Sequence, residues 1–109
     1  LYPFQWYSPV SGGRLRAMHC MDIPFAFDNV DNSQPIVGTG ADRQGLADRM
    51  SRAWVAFARG GDPNRAALPR WEPFTTAERA TMMLNTECHL ALNPYSDERV
   101  ALAAAIGPR

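Results

Sequence analysis

Apolar and polar residues alternate at the start of the chain and fall at helical spacing in its middle. In residues 1–7 (LYPFQWY), Tyr2, Phe4 and Trp6 lie on one side of an extended backbone, and Leu1, Pro3, Gln5 and Tyr7 on the other. Aromatics at a period of two predict a strand. Pro3 lacks an N–H and fits best near a strand start or at a sheet edge. With aromatics on one face and apolar residues on much of the other, the pattern suits a strand covered on both sides, which needs more elements than the chain supplies. Residues 8–13 (SPVSGG) are loop chemistry, and 23–27 (IPFAF) form a short apolar run.

The strongest helical signal follows a polar, Gly- and Asn-containing stretch from 28 to 45, whose first half reads as loop. Leu46, Met50, Ala53, Trp54 and Phe57 recur at i, i+4, i+7, i+8 and i+11, one apolar stripe at helical period, and are expected to pack in the core. Asp48, Arg49, Arg52 and Arg59 sit mostly off that stripe, and the arginines are read as a solvated surface. Asp42 is the expected N-cap, Gly60 and Gly61 the stop, and Asp62-Pro63-Asn64 a turn. An irregular connector spans 65–76, with Trp71 and Phe74 as anchors. Residues 80–85 (ATMMLN) and 88–92 (CHLAL) are short strand candidates. Ser96–Ile106 predicts a last helix, with Ser96 as N-cap, Asp97 and Glu98 in the first turn, and Gly107-Pro108 as its stop. Val100, Leu102, Ala103 and Ile106 give that helix a broad apolar face. Two strands or strand pairs with two helices make a small α/β or α+β unit.

Size and charge set bounds on what such a unit does. The chain has 109 residues, 46% of them hydrophobic and 20% charged, room for one domain at most. Eleven basic residues balance eleven acidic ones, so the chain lacks the positive field that a nucleic-acid binder or a polybasic membrane surface needs. No stretch is long and apolar enough to span a bilayer. All 11 basic residues are Arg, which leaves no side-chain amine in these residues for Schiff-base or Ser–Lys chemistry. Cys20 and Cys88 are too few for a disulfide-stapled scaffold and read as reduced, buried thiols. The chain starts at Leu1 without Met and runs straight into strand-like residues, as a piece of a longer polypeptide would.

Candidate chemistry is sparse. His19 follows the Gly12-Gly13 loop, with Cys20 beside it and Asp22 three residues on; His89 sits next to Cys88 in a strand candidate. The pairs His19-Cys20 and Cys88-His89 hold four zinc-ligand types, but adjacent residues on an extended segment point apart, so a metal site is not expected. For the same reason Cys20 and His19 make a poor nucleophile–base pair. Ser8, Ser11, Ser33, Ser51 and Ser96 lack the G-x-S-x-G setting of a hydrolase nucleophile on an α/β sheet. Gly12-Gly13 and the Gly38/Gly40 pair do not match a phosphate-cradling loop. Taken alone, the chain has no complete catalytic constellation.

The run YPFQWYSPVSGGRLRAMHCMDIPFAF resembles the region around the catalytic histidine of type-B carboxylesterases. An aromatic strand and a Gly-containing loop lead to His19, followed by Asp22, Ile23, Phe25 and Phe27 in the family's places. Downstream, LADRMSRAWVAFARGGDPN resembles the family's helix and its F-A-x-x-G-x-P-N turn, here Phe57-Ala58, Gly61 and Pro63-Asn64. Trp71-Glu72-Pro73-Phe74 resembles a W-P-x-Y/F piece with a displaced Pro, and TMMLNTEC the last strand. The match extends over essentially the whole chain.

The resemblance implies an α/β architecture, the C-terminal part of an α/β-hydrolase fold, with late sheet strands and their packing helices. It implies hydrolysis of small-molecule carboxylic esters by serine-dependent acyl transfer, without a cofactor, with His19 as the triad base. The serine, the triad acid and the oxyanion-hole glycines would lie upstream of Leu1, so the residues 1–109 alone are expected to be inactive. Their first partner would be the upstream part of the same domain, and without it the exposed apolar surface would favour self-association. On this reading Asp22 has a local structural role and Cys20 packs. The alternative is an esterase-like interaction module with a degraded triad.

Overall fold

The buried part of the long helix's apolar stripe decides where the core forms. The computed structural model describes residues 1–64 and 67–107. Its helices are α1 (Ile23–Ala26), α2 (Gln34–Val37), α3 (Asp42–Gly60) and α4 (Ser96–Ile106), and its strands β1 (Ala80–Met83) and β2 (His89–Leu92). Helix α3 buries Arg43, Leu46, Ala47, Met50 and Ala53 and packs against α1. It ends where the sequence predicts: Gly61 takes φ 73°, and its N–H reaches the Phe57 carbonyl at 2.7 Å. That left-handed position costs a side chain with a Cβ about 1 kcal/mol or more and costs glycine nothing.

The core joins the N-terminal segment to α1 through aromatic rings and to α3 through Leu46, Ala47 and Met50. Phe25 is fully buried, with ring centroids 5.0 Å from Phe4 and 4.9 Å from Trp6. Tilted rings at that spacing add roughly 0.5–1.5 kcal/mol per pair beyond the area they bury. Met21, Val30, Val37, Met82 and Leu84 complete the same cluster.

Strand β1 is the spine of the sheet, and its side chains are all buried. On one side it pairs antiparallel with β2, from Ala80 opposite Leu92 to Met83 opposite His89. On the other side residues 1–5 run parallel to it. The Met82 N–H donates to the Leu1 carbonyl (3.1 Å), Leu84 N–H to Pro3 (3.1 Å), and Gln5 N–H returns to Leu84 (2.8 Å). The segment forms one isolated bridge, Phe4 to Leu84, instead of the expected regular strand. Pro3 is the reason: a parallel ladder would require its N–H to donate to the Met82 carbonyl, and proline has none. Among the described residues nothing pairs with its other edge.

Several local expectations are corrected. Asp42 is the first helical residue of α3 rather than its cap, which is Ala41; the Asp42 carboxylate accepts the Trp6 indole N–H at 2.8 Å instead. Ser96 is likewise inside α4, capped by Tyr95 in a left-handed conformation with φ 58°. The 23–27 run folds as the helical turn α1, with Pro24 near its start, where a missing N–H costs little. Arg43 is buried: its guanidinium donates to the carbonyls of Val30 (2.5 Å) and Gly40 (3.1 Å) and pairs with Asp31 at 2.6 Å. The start of the 65–76 connector and the Pro108 stop lie outside the described residues.

Trp54 and Phe57 also depart from the expected core, with 45% and 52% of their surface exposed. The buried positions of α3 run from Arg43 to Ala53. Beyond Ala53 the same stripe faces a cleft.

Candidate active site

The loop before His19 is closed at its base. The Ser8 N–H donates to the Arg16 carbonyl at 3.2 Å, and the buried Ser8 hydroxyl donates to the Ile36 carbonyl at 2.6 Å and accepts the Val10 N–H at 3.1 Å. Within the loop Ser11, Gly12 and Gly13 all take positive φ (54°, 66° and 81°), which reverses the chain in few residues. Arg16 lies over the Tyr7 ring, 5.8 Å from its centroid. The chain leaves this closed loop towards residue 19 with a fixed starting point.

His19 stands on the next turn and is exposed. The Met21 N–H donates to the Met18 carbonyl at 3.0 Å, Ile23 N–H to Cys20 at 3.3 Å, and Cys20 adopts φ 65° between them. Met21 is fully buried and anchors the turn from below. Asp22 then accepts the Tyr2 hydroxyl on Oδ2 at 3.1 Å, and Pro24 and Phe25 are buried just beyond. No hydrogen bond holds the His19 ring among the described residues. An imidazole held this way, backbone fixed and ring open, can accept a proton from a hydroxyl brought against it and return it.

The remaining sequence candidates fall elsewhere. Cys20, expected to pack, is exposed, because the left-handed backbone at this position turns its side chain away from the core that Met21 enters. Cys88 is half-buried and donates its thiol to the Asn85 carbonyl at 3.1 Å; neither cysteine is in a disulfide. His89 is exposed on β2, paired across to Met83. Among the described residues no three His, Cys, Asp or Glu side chains gather closely enough to hold a metal ion.

Asp22 fits the local structural role expected of it, since Tyr2 occupies its carboxylate. The Tyr2 ring in turn meets Trp54 and Trp71 edge-on, with both centroid distances 6.1 Å. Burial, then the neighbouring Asp22 charge and the bond donated to it, push the Tyr2 phenol above its ordinary pKa. Sequence reading assigned Tyr2 only to a strand face. The signal for more was its place at the head of the aromatic run with an acid beyond the histidine, but the pairing depends on the sheet bringing residue 2 beside residue 22.

A cleft of about 670 Å³ opens on the other side of Tyr2. Trp54, Phe57, Leu68, Trp71 and Phe74 line it, with Asn64 and Glu72 at polar positions, and His19 is not among its walls. It was missed in the sequence because its aromatic residues read equally well as core.

Three comparisons bear on this geometry. The profile of the carboxylesterase family matches residues 2–102. Phenmedipham hydrolase of Pseudarthrobacter oxydans is 37% identical over 91 residues, 79% of this chain and 18% of that protein. Para-nitrobenzyl esterase of Bacillus subtilis (strain 168) is 28% identical over 110 residues, 98% of this chain and 22% of that protein. Among solved structures, an esterase from the anaerobe Clostridium hathewayi that can hydrolyse aliphatic aromatic polyesters superposes with a TM-score of 0.81 at 30% identity, covering 95% of this chain and 20% of that one. The chain thus spans roughly a fifth of the length of the proteins it matches, and its helices and small sheet reproduce that portion of an α/β-hydrolase fold.

Proposed function

The chain belongs to the carboxylesterase family, and on that premise we propose that it serves hydrolysis of small-molecule carboxylic esters, with His19 as the general base. These residues then make up the C-terminal part of a carboxylesterase domain. The nucleophilic serine, the acid that orients His19 and the oxyanion donors come from a preceding part of that domain. The observation that carries the reading is the exposed, unengaged His19 ring on a turn anchored by buried Met21, inside the segment the family profile matches.

Acyl transfer follows from those parts. His19 accepts the serine proton as the hydroxyl oxygen attacks the ester carbonyl, and the new C–O bond forms as negative charge moves to the carbonyl oxygen. Collapse of that intermediate breaks the bond to the alcohol, which leaves with the proton from His19. Water then attacks the acyl-enzyme with His19 again as base, and the serine leaves with the proton. The five serines of this chain do not suit the nucleophile: Ser8 is buried with its hydroxyl committed, and none has the G-x-S-x-G setting. Asp22 does not suit the triad acid, because its carboxylate serves Tyr2.

The test compares His19→Ala with the parent in the intact polypeptide that carries these residues. Turnover of a chromogenic carboxylic ester falls about 10⁴-fold or more, while residues 1–109 alone give no turnover above buffer. Full activity in His19→Ala overturns the assignment of the base, whereas a parent polypeptide without turnover favours the non-catalytic, esterase-like interaction module.

A further inference from the structure

We propose that Tyr2 and Asp22 are positioning residues for His19, the hydroxyl-to-carboxylate bond between them fixing the turn that carries the imidazole. The inference rests on His19 being the base, as read above. Asp22 occupies the N-cap position of α1, where an aspartate by preference bonds the exposed N–H groups of its own helix. It makes no such bond here; its carboxylate reaches back to Tyr2 instead, across 20 positions of sequence. Its backbone is already helical (φ −72°, ψ −22°), which leaves the carboxylate free for the long-range bond.

Tyr2 is an unusually fixed donor. The carbonyls of Leu1 and Pro3 on either side of it accept N–H groups from the β1 region, at 3.1 Å each. Its ring is held edge-on by Trp54 of α3 and by Trp71. The bond therefore ties the turn to the sheet and to α3 at once. On the turn itself only Met21 is buried, and the flanking Met18, His19 and Cys20 are exposed. Met21 sets the depth of the turn. The Tyr2–Asp22 bond sets its rotation, and with it the direction from which His19 meets a hydroxyl.

A misplacement of the base by about 1 Å costs on the order of 10²-fold in the chemical step. In the intact esterase, Tyr2→Phe keeps the ring and removes only the hydroxyl. It is expected to lower kcat about 10- to 100-fold with KM changed less than about twofold. Asp22→Ala has the same effect, and the double variant is no worse than the poorer single one, because both remove one bond. Asp22→Asn keeps an acceptor carbonyl at the same reach and restores most of kcat. Thermal unfolding of each variant accompanies the kinetics, and if Asp22→Ala fails to fold, Tyr2→Phe with Asp22→Asn carries the comparison. Parental kcat in Tyr2→Phe, losses that add in the double variant, or a loss confined to KM overturns the inference. A His19→Ala variant that has lost activity while Tyr2→Phe retains it leaves the base assignment standing and removes only the positioning role. Retained activity in His19→Ala removes both.

Discussion

Tyr2 shows how much a single side chain can differ from its sequence reading. Its phenol is raised above the usual tyrosine range by burial first and by Asp22 second, so the folded state holds the proton more tightly than the unfolded chain. Stability from this residue is therefore complete below the unfolded pKa of about 10 and is lost as pH rises through the higher folded value. An ultraviolet titration of tyrosinate should place the step abolished by Tyr2→Phe above about pH 10, and alkaline unfolding of the parent should steepen there relative to the variant. A step at or below the ordinary tyrosine value contradicts this. The turn that carries His19 and Asp22 was the part of the candidate site most legible in the sequence, because the signal the resemblance rests on is contiguous: loop, histidine, acid, apolar run. Tyr2, Arg43 and Cys20 were not, since their settings depend on partners 20 or 13 positions away, or on a backbone sign that residue type does not reveal.

Within elements, the helical period held, the alternation at residues 1–7 gave one isolated bridge instead of a strand, and the N-cap chemistry failed. The α3 stripe, the glycine stop and both strands lie where hydrophobic spacing puts them. The two N-cap assignments fail because Asp42 and Ser96 are both already helical, with Asp42 taken by the Trp6 indole. Trp54 and Phe57 obey the helical period but extend past the elements that cover it, and periodicity says which face is apolar, not how far the covering reaches. Two glycines of α3 and its cap offer a paired test. Gly45 is helical and exposed, with nothing within 4 Å of where a Cβ would sit, so Gly45→Ala should stabilise by roughly 0.5–1 kcal/mol. Gly61 has equally open surroundings but φ 73°, so Gly61→Ala should destabilise by about 1 kcal/mol. Denaturant midpoints moving in the same direction for both would contradict the backbone argument.

Across the whole molecule, apolar surface is distributed unevenly. None of α4 is buried, and Val100, Leu102 and Ile106 are each more than half exposed, while Trp54 and Phe57 open onto the cleft. Such a surface should drive association of residues 1–109 as the resemblance implied; sedimentation velocity should show mass rising with concentration, and a monomer at every concentration would contradict it. The hydrophobic pattern left α/β and α+β both open and the resemblance supplied the α/β class, whereas the order of pairing was not readable, because registry between distant segments leaves no mark on either one. That parallel pairing of residues 1–5 with β1 also governs the order of assembly. Gln5 and Asn85, which bond across the junction, are 80 positions apart, so closing the sheet is entropically expensive and late compared with forming α3. On a ribosome adding about 5–20 residues per second, Phe4 and Trp6 emerge seconds before the strand that will hold them. Through that interval Phe25 of α1 and the apolar residues of α3 are already able to shelter these rings, which makes the Phe4–Phe25–Trp6 cluster a natural holding site for the nascent chain.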